Sequence, residues 1–187
     1  FTKRSMDYLY QKYNLPNFIT PYLFYKGINL DDFDNFFAPK LKNLLPEPFR
    51  FKDLEKGVKR LASEVIASRP VGIFGDYDVD GATSAAIISK YLDQCGCKTF
   101  IHIPDRFLEG YGPNEKALKG LHQKGSKLIV TVDCGISSFE PLQALSSVDV
   151  DVIVIDHHIP DIKLPPAYAI INPKRIDTAK GYEDLCA

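Results

Sequence analysis

Three short acidic motifs carry most of the chemical potential of this sequence: Gly75-Asp76-Tyr77-Asp78-Val79-Asp80-Gly81, Asp133-Cys134-Gly135 and Asp156-His157-His158. Carboxylates and imidazoles gathered in one place repel and desolvate one another unless cations bind between them. Aspartate oxygen with imidazole nitrogen is a ligand set that suits Mn²⁺ and, with more nitrogen, Zn²⁺ or Fe²⁺. A pair of divalent ions would turn these carboxylates from a surface that rejects phosphate into a clamp for phosphate oxygens, with water activated near neutral pH. The chemistry expected is metal-assisted attack on a phosphate ester.

Each motif is weak by itself. Asp-x-Asp-x-Asp-Gly also opens a calcium-binding helix-loop-helix, but that loop needs a Glu where this chain has Ile87, and it must follow a helix rather than a strand. A nicotinamide site on a parallel sheet needs Gly-x-Gly-x-x-Gly after the first strand, where this chain has three carboxylates that would repel a pyrophosphate. A lone Asp-Cys-Gly is an ordinary strand-to-turn transition, and a lone pair of histidines an ordinary surface pair. What gives the three motifs weight is their position at successive strand ends.

Short apolar runs at 71–74, 99–103, 128–132 and 152–155 alternate with helical stretches at about 82–95, 114–123 and 138–146, and Gly125 is placed to end the second helix. That alternation predicts an α/β fold, a doubly wound and mostly parallel sheet with helices on both faces. Three of the four runs end in an acidic motif, and ligands of such sheets bind outside the carboxyl ends of the strands. The motifs are therefore expected to converge on one crevice. Ahead of the sheet, Leu54, Val58, Leu61, Val65 and Ile66 mark one face of a helix over about 52–68, which Pro70 ends. The prolines at 16, 21, 39, 46 and 48 break the first 49 residues into short helices and turns. The expected division is an N-terminal helical or irregular segment, 1–49, and a domain over 50–187.

Composition narrows the class. Apolar residues make up 45% of the 187, and no run approaches the roughly 18 apolar residues of a membrane span, so a globular cytoplasmic protein without a membrane partner is expected. The net charge of −1 hides an asymmetry of +4 over 1–70 and −5 over 71–187, too mild to mark a general nucleic-acid binder. Cys95, Cys97, Cys134 and Cys186 form no metal-binding spacing, which argues for reduced thiols and against structural zinc. The sequence opens at Phe1 without a Met and is read as a piece of something longer, cut short at its C-terminal end.

In this order the motifs resemble those of the DHH phosphoesterase superfamily, named for the Asp-His-His that stands here at 156–158, and the resemblance covers roughly 50–187. Pro104-Asp105-Arg106, Glu109-Gly110-Tyr111-Gly112 and Ile171-Asn172-Pro173-Lys174-Arg175 are similar to its RecJ branch of 5′-to-3′ exonucleases. The resemblance implies that Asp78 and Asp80 bind two divalent cations, Mn²⁺ first and Mg²⁺ as the alternative. It also implies that Asp133 bridges them, that His157 binds the second ion, and that Asp76 and Asp156 are supporting carboxylates. His158 is then expected to face the scissile phosphate. Arg106, Tyr111, Asn172, Lys174 and Arg175 are the candidate substrate contacts, since Arg and Lys neutralise phosphates and Tyr stacks on bases. Some members of the superfamily carry a metal-binding His four residues before the first ligand Asp, where this chain has Phe74, with Asp76 or water as the substitute.

The implied activity is exonucleolytic hydrolysis of single-stranded DNA in repair and recombination, with a single-strand-binding protein or a helicase as partners. A later ligand Asp, a second catalytic-side domain and a nucleic-acid-binding domain are implied beyond Ala187. Two other functions compete. One is hydrolysis of short oligonucleotides, cyclic dinucleotides or pyrophosphate, against which the sequences around Tyr111 and Asn172 argue. The other is a non-catalytic replication scaffold of the same fold, against which the intact acidic motifs argue.

Overall fold

The computed structural model describes residues 3–16 and 18–187, which divide into two compact units, Phe1–Pro46 and Glu47–Ala187. Among its described residues the first unit holds four short helices, α1 (Lys3–Tyr13), α2 (Ile19–Tyr25), α3 (Phe33–Phe37) and α4 (Leu41–Leu44). Its small core is Leu9, Leu23 and Phe33, with the rings of Tyr13 and Phe24 tilted against Phe33.

The second unit runs α5 (Leu54–Ile66), β1 (Val71–Gly75), α6 (Val79–Gln94), β2 (Thr99–His102), α7 (Glu115–Gln123), β3 (Leu128–Val132), α8 (Phe139–Gln143), β4 (Asp151–Ile155) and β5 (Ala169–Ile171). All neighbouring strands are parallel, in the order β2-β1-β3-β4-β5. β1 and β3 are buried along their whole length, as central strands of a parallel sheet must be, which explains their continuous apolar runs. Alternate side chains feed two cores. Phe74, Ile129, Val152, Val154 and Ile170 pack with Leu118 and Leu121 of α7 and Leu142 of α8. Val71, Ile73, Leu128, Val130 and Ile153 pack on the other face with α5 and α6. The α/β doubly wound arrangement with helices on both faces is thus present.

Three details differ from the reading of the sequence. β5 is additional to the four expected strands, because three residues carry too little periodicity to register as one. α6 begins at Val79 rather than 82, since Asp78 caps it by accepting from Gly81 N at 3.0 Å. The inward stripe of α5 is rotated from the expected one: Val58 and Ile66 are exposed, while Gly57 and Glu64 are buried. A Cβ on Gly57 would lie 3.3 Å from Ile171 Cδ1, so the glycine lets the helix approach β4 and β5 closely. Among the described residues no helix is long and apolar enough to cross a membrane.

Candidate metal centre

The three acidic motifs meet at the carboxyl ends of β1, β3 and β4. The order β2-β1-β3 puts the topological switch point between β1 and β3, the place where this architecture opens a crevice. Gly81 makes the crevice possible on the β1 side. A Cβ there would fall 2.5 Å from the backbone oxygen of Asp76, so only glycine lets the first turn of α6 fold back onto the end of the strand.

Asp133 follows β3 in the left-handed region, φ +61°, which aspartate tolerates better than most residues but which still stores strain typical of functional sites. Its amide is fixed by donation to Ile155 O at 2.9 Å. Gly135, at φ +107°, completes the turn where a Cβ would meet Thr131 Oγ1 at 2.7 Å. The side chain of Asp133 is 1% exposed, and neither carboxylate oxygen receives a hydrogen bond. His157 Nε2 lies 3.1 Å from Oδ1 without hydrogen-bond alignment. Burial, and after it the Asp78 carboxyl, pushes Asp133 up to about 7.

Asp156 is equally buried and opposite in character. Its Oδ1 accepts from the amides of His157 (2.7 Å) and His158 (3.1 Å) and from His158 Nδ1 (2.7 Å), and its Oδ2 accepts from Ile136 N (2.9 Å). Both oxygens are occupied in shaping the turn, so Asp156 orients the histidines rather than offering a ligand atom. Because a carboxylate only accepts, the His158 proton sits on Nδ1, and Nε2, 3.4 Å from the Tyr111 hydroxyl, is the nitrogen left to accept. Asp76 is 3% exposed and accepts from Tyr77 N at 2.8 Å; burial above all raises its pKa. Asp78 is lowered, first by the bond from Gly81 N.

Two sets of ligand atoms result, each with its members within 4.8 Å of one another: Asp76, Asp78 and Asp133, and Asp133, His157 and His158. Asp133 belongs to both. An isolated buried carboxylate costs several kcal/mol unless paired or protonated, and here the protein supplies it with no donor. Divalent cations fit this donor set, and Asp133 is the residue common to both groups of ligand atoms.

A model of the DHH family, N-terminal domain, matches residues 70–186, the span that contains all three motifs. The chain belongs to the DHH family. Within it, the chain is 35% identical over 139 residues to the single-stranded-DNA-specific exonuclease RecJ of Bacillus subtilis and 38% identical over 138 residues to that of Escherichia coli. These alignments cover 74% and 73% of this chain but 18% and 24% of the relatives, so the chain spans about a fifth of their length. Among solved structures, an exonuclease RecJ bound to manganese superposes with a TM-score of 0.64 at 34% identity, covering 73% of this chain and 34% of that one. The RecJ of Thermus thermophilus in complex with Mn²⁺ superposes at 0.56 and 31% identity, covering 66% and 17%.

The other residues expected in a DHH-family site separate. Asp80 sits in the first turn of α6 and joins neither set of ligand atoms, whereas Asp76 does, because Asp78 turns back to cap the helix and Asp76 ends inside the crevice. Tyr111 reaches the site: its hydroxyl donates to Asp133 O at 3.4 Å and lies 3.3 Å from His158 Nδ1. Arg106 is exposed, with its guanidinium 5.6 Å from the centre of the Tyr77 ring.

Two expected substrate contacts lie inside the fold. Arg175 is buried and tied to Asp53 (2.8 Å), Asp177 (2.8 Å) and Ile170 O (2.6 Å), so its charge is already matched. Asn172 is fully buried, donates to His158 O at 2.9 Å and accepts from Lys174 N at 2.7 Å, which braces the histidine turn instead of facing a ligand. Lys174 is half-buried and forms no ion pair among the described residues. Residues the motifs did not point to include Ile136, whose amide holds Asp156, and Asp53, which accepts from Ile170 N on the outer edge of β5.

Proposed function

We propose that this chain carries the divalent-metal centre of a hydrolase that cleaves phosphodiester bonds in single-stranded DNA. The observation that supports this most is the buried Asp133 carboxylate, without a donor and common to two sets of ligand atoms. Likeness to single-stranded-DNA-specific exonucleases supports the substrate class, and likeness to a manganese-bound relative supports Mn²⁺ as the ion, with Mg²⁺ second.

Asp76, Asp78 and Asp133 would hold one ion, and Asp133 with His157 the other; Asp80 stays a ligand candidate on the family resemblance. When bound, such ions neutralise phosphate oxygens and activate water for attack. The protein groups around them orient and shield. Asp156 fixes the histidine turn and the His158 tautomer, so that Nε2 meets charge developing on the phosphate. Arg106 neutralises a neighbouring phosphate, Lys174 adds a second positive charge, and Tyr111 packs against a base. Removing nucleotides from a single strand is work for DNA repair and recombination in the cytoplasm, and that is the process we assign.

The test is hydrolysis by the full-length protein, with manganese, of 5′-labelled single-stranded DNA, RNA of the same sequence and a cyclic dinucleotide. Single-stranded DNA should be cleaved fastest. Faster cleavage of the cyclic dinucleotide would replace this reading with that of a small-substrate phosphodiesterase.

A further inference from the structure

Between β2 and α7, Pro104, Gly112 and Pro113 are buried, but the segment 105–111 between them is exposed throughout. Phe107 and Leu108 are 94% and 86% exposed, and a cavity of about 610 Å³ opens beside it, lined by His102, Leu108, Glu109, Asn114, Lys116 and Lys124 among others. Yet this segment delivers two groups toward the cleft, Arg106 over the Tyr77 ring and Tyr111 against His158 and Asp133 O. A loop without packing samples many conformations unless polar bonds restrict it.

Those bonds converge on Glu109. Its carboxylate accepts from Asp105 N (3.0 Å) and Asn114 Nδ2 (3.0 Å) and lies 2.9 Å from His102 Nε2, while its own amide donates to Asp105 O at 2.8 Å. Each partner is anchored in turn. The His102 ring stacks on buried Phe74 with centroids 5.3 Å apart, Asn114 caps α7 by accepting from Ala117 N, and Asp105 Oδ1 accepts from the amides of Phe107 and Leu108. One carboxylate therefore joins the end of β2, the start of the loop and the beginning of α7. An exposed ion pair with His102 alone would be worth little, but the bonds from an amide N–H and from the capping Asn are charge-assisted, favour the ionised carboxylate and fix its position.

We propose that Glu109 is a positioning residue that fixes the 105–111 segment so that Arg106 and Tyr111 meet the single strand at the metal cleft. This rests on the substrate class proposed above.

The experiment measures binding of a fluorescein-labelled oligothymidylate by the full chain with Mn²⁺ present, for wild type, Glu109→Ala, Glu109→Gln, Arg106→Ala and the Glu109→Ala/Arg106→Ala pair. Amide hydrogen exchange is followed on the same proteins. Glu109→Ala should weaken binding about tenfold and lower the salt slope by about one unit, as losing a phosphate contact does. Mn²⁺ affinity should not change. In the Arg106→Ala background the same substitution should add little, because the two act through one contact. Glu109→Gln should recover part of the affinity, since its amide oxygen still accepts from Asp105 N while its NH₂ cannot accept from Asn114 Nδ2. The Asp105 amide should exchange faster in Glu109→Ala. Full affinity in Glu109→Ala, or a fully additive loss in the pair, overturns the proposal. If wild type binds Mn²⁺ but no oligonucleotide, the substrate class has failed and with it the role assigned here. Unchanged exchange at Asp105 refutes the positioning itself, whatever the substrate.

Discussion

At the N-terminal edge of the sheet, Glu64 of α5 is fully buried, and Arg69 reaches both its oxygens at 2.7 and 2.8 Å while Arg60 bonds it as well. Arg60 also bonds Asp151 at the start of β4 (2.7 Å) and Lys127 O ahead of β3 (3.1 Å), so the acid pins the helix to the sheet. At the C-terminal edge, Asp133 is buried to the same degree, but neither of its oxygens receives a hydrogen bond, and His157 Nε2 is 3.1 Å from Oδ1 without alignment. The first acid is neutralised by the chain and its pKa is held low, first by Arg69. The second is raised to about 7 by burial. A buried acid with its own arginines is architecture, whereas a buried acid without a donor marks a place where an external cation completes the structure.

The largest effect should come from removing the second acid. Asp133→Ala in the full-length protein should cut manganese-dependent hydrolysis by at least about a hundredfold, since loss of even an outer partner of a metal ligand costs about 10- to 100-fold. Steady-state rates on single-stranded DNA check this, and wild-type turnover would dissolve the distinction between the two acids.

Removing the first acid should do the reverse. Glu64→Ala should lower the unfolding free energy by about 2 kcal/mol, because half-exposed Arg69 loses its partner while Arg60 keeps Asp151 and Lys127 O, and should leave Mn²⁺ affinity unchanged. Urea titration with a parallel metal titration measures both. A fold of undiminished stability would mean that the arginines find other partners.

The two acids should also give opposite pH signatures. Glu64 has a depressed folded pKa, so its contribution is present above the ordinary carboxylate range and lost as pH falls through it. Asp133 has a raised one, so metal-free stability is highest while it is protonated and declines as pH rises from about 4 toward 7. Without metal, the stability of Asp133→Asn relative to wild type should therefore rise from about pH 4 to about pH 7 and level off above it, and Mn²⁺ should erase that advantage. A difference constant with pH would remove Asp133 from the titration.

The smallest effect is expected at Cys134, beside Asp133. Its thiol is buried, donates to Val132 O at 3.3 Å and is held protonated by burial, so it packs rather than reacts. Cys134→Ser keeps a donor at nearly the same position and should retain most activity at a stability cost of about 1 kcal/mol. A folded but inactive serine variant would give the thiol a role it lacks here.

The alternation of apolar runs with helical stretches makes the sheet and its two helical faces legible, because burial on both sides of β1 and β3 writes itself into the residues. The three motifs at strand ends make the cleft legible for the same reason. What each carboxylate does there is less so. Asp133 and Asp156 are the same residue type with the same burial, and the amides of Ile136, His157 and His158 together with His158 Nδ1 tell them apart. Arg175 and Asn172 suggest substrate contacts by chemical type alone. Arginine and asparagine satisfy protein carbonyls and carboxylates as readily as phosphates, and here they brace β5 and the histidine turn. In α5, Gly57 rather than Val58 faces the sheet, a choice set by how closely the helix approaches rather than by hydrophobicity.

Calorimetric titration of Mn²⁺ into wild type and Asp133→Asn at about pH 7 tests the account at its centre. Wild type should bind and release protons in proportion to the protonated fraction of Asp133, with the heat depending on the buffer, while Asp133→Asn should remain folded and bind at least about tenfold more weakly. Equal Mn²⁺ affinity in the folded Asp133→Asn variant would contradict the claim that this buried, donorless carboxylate is what the metal centre is built around.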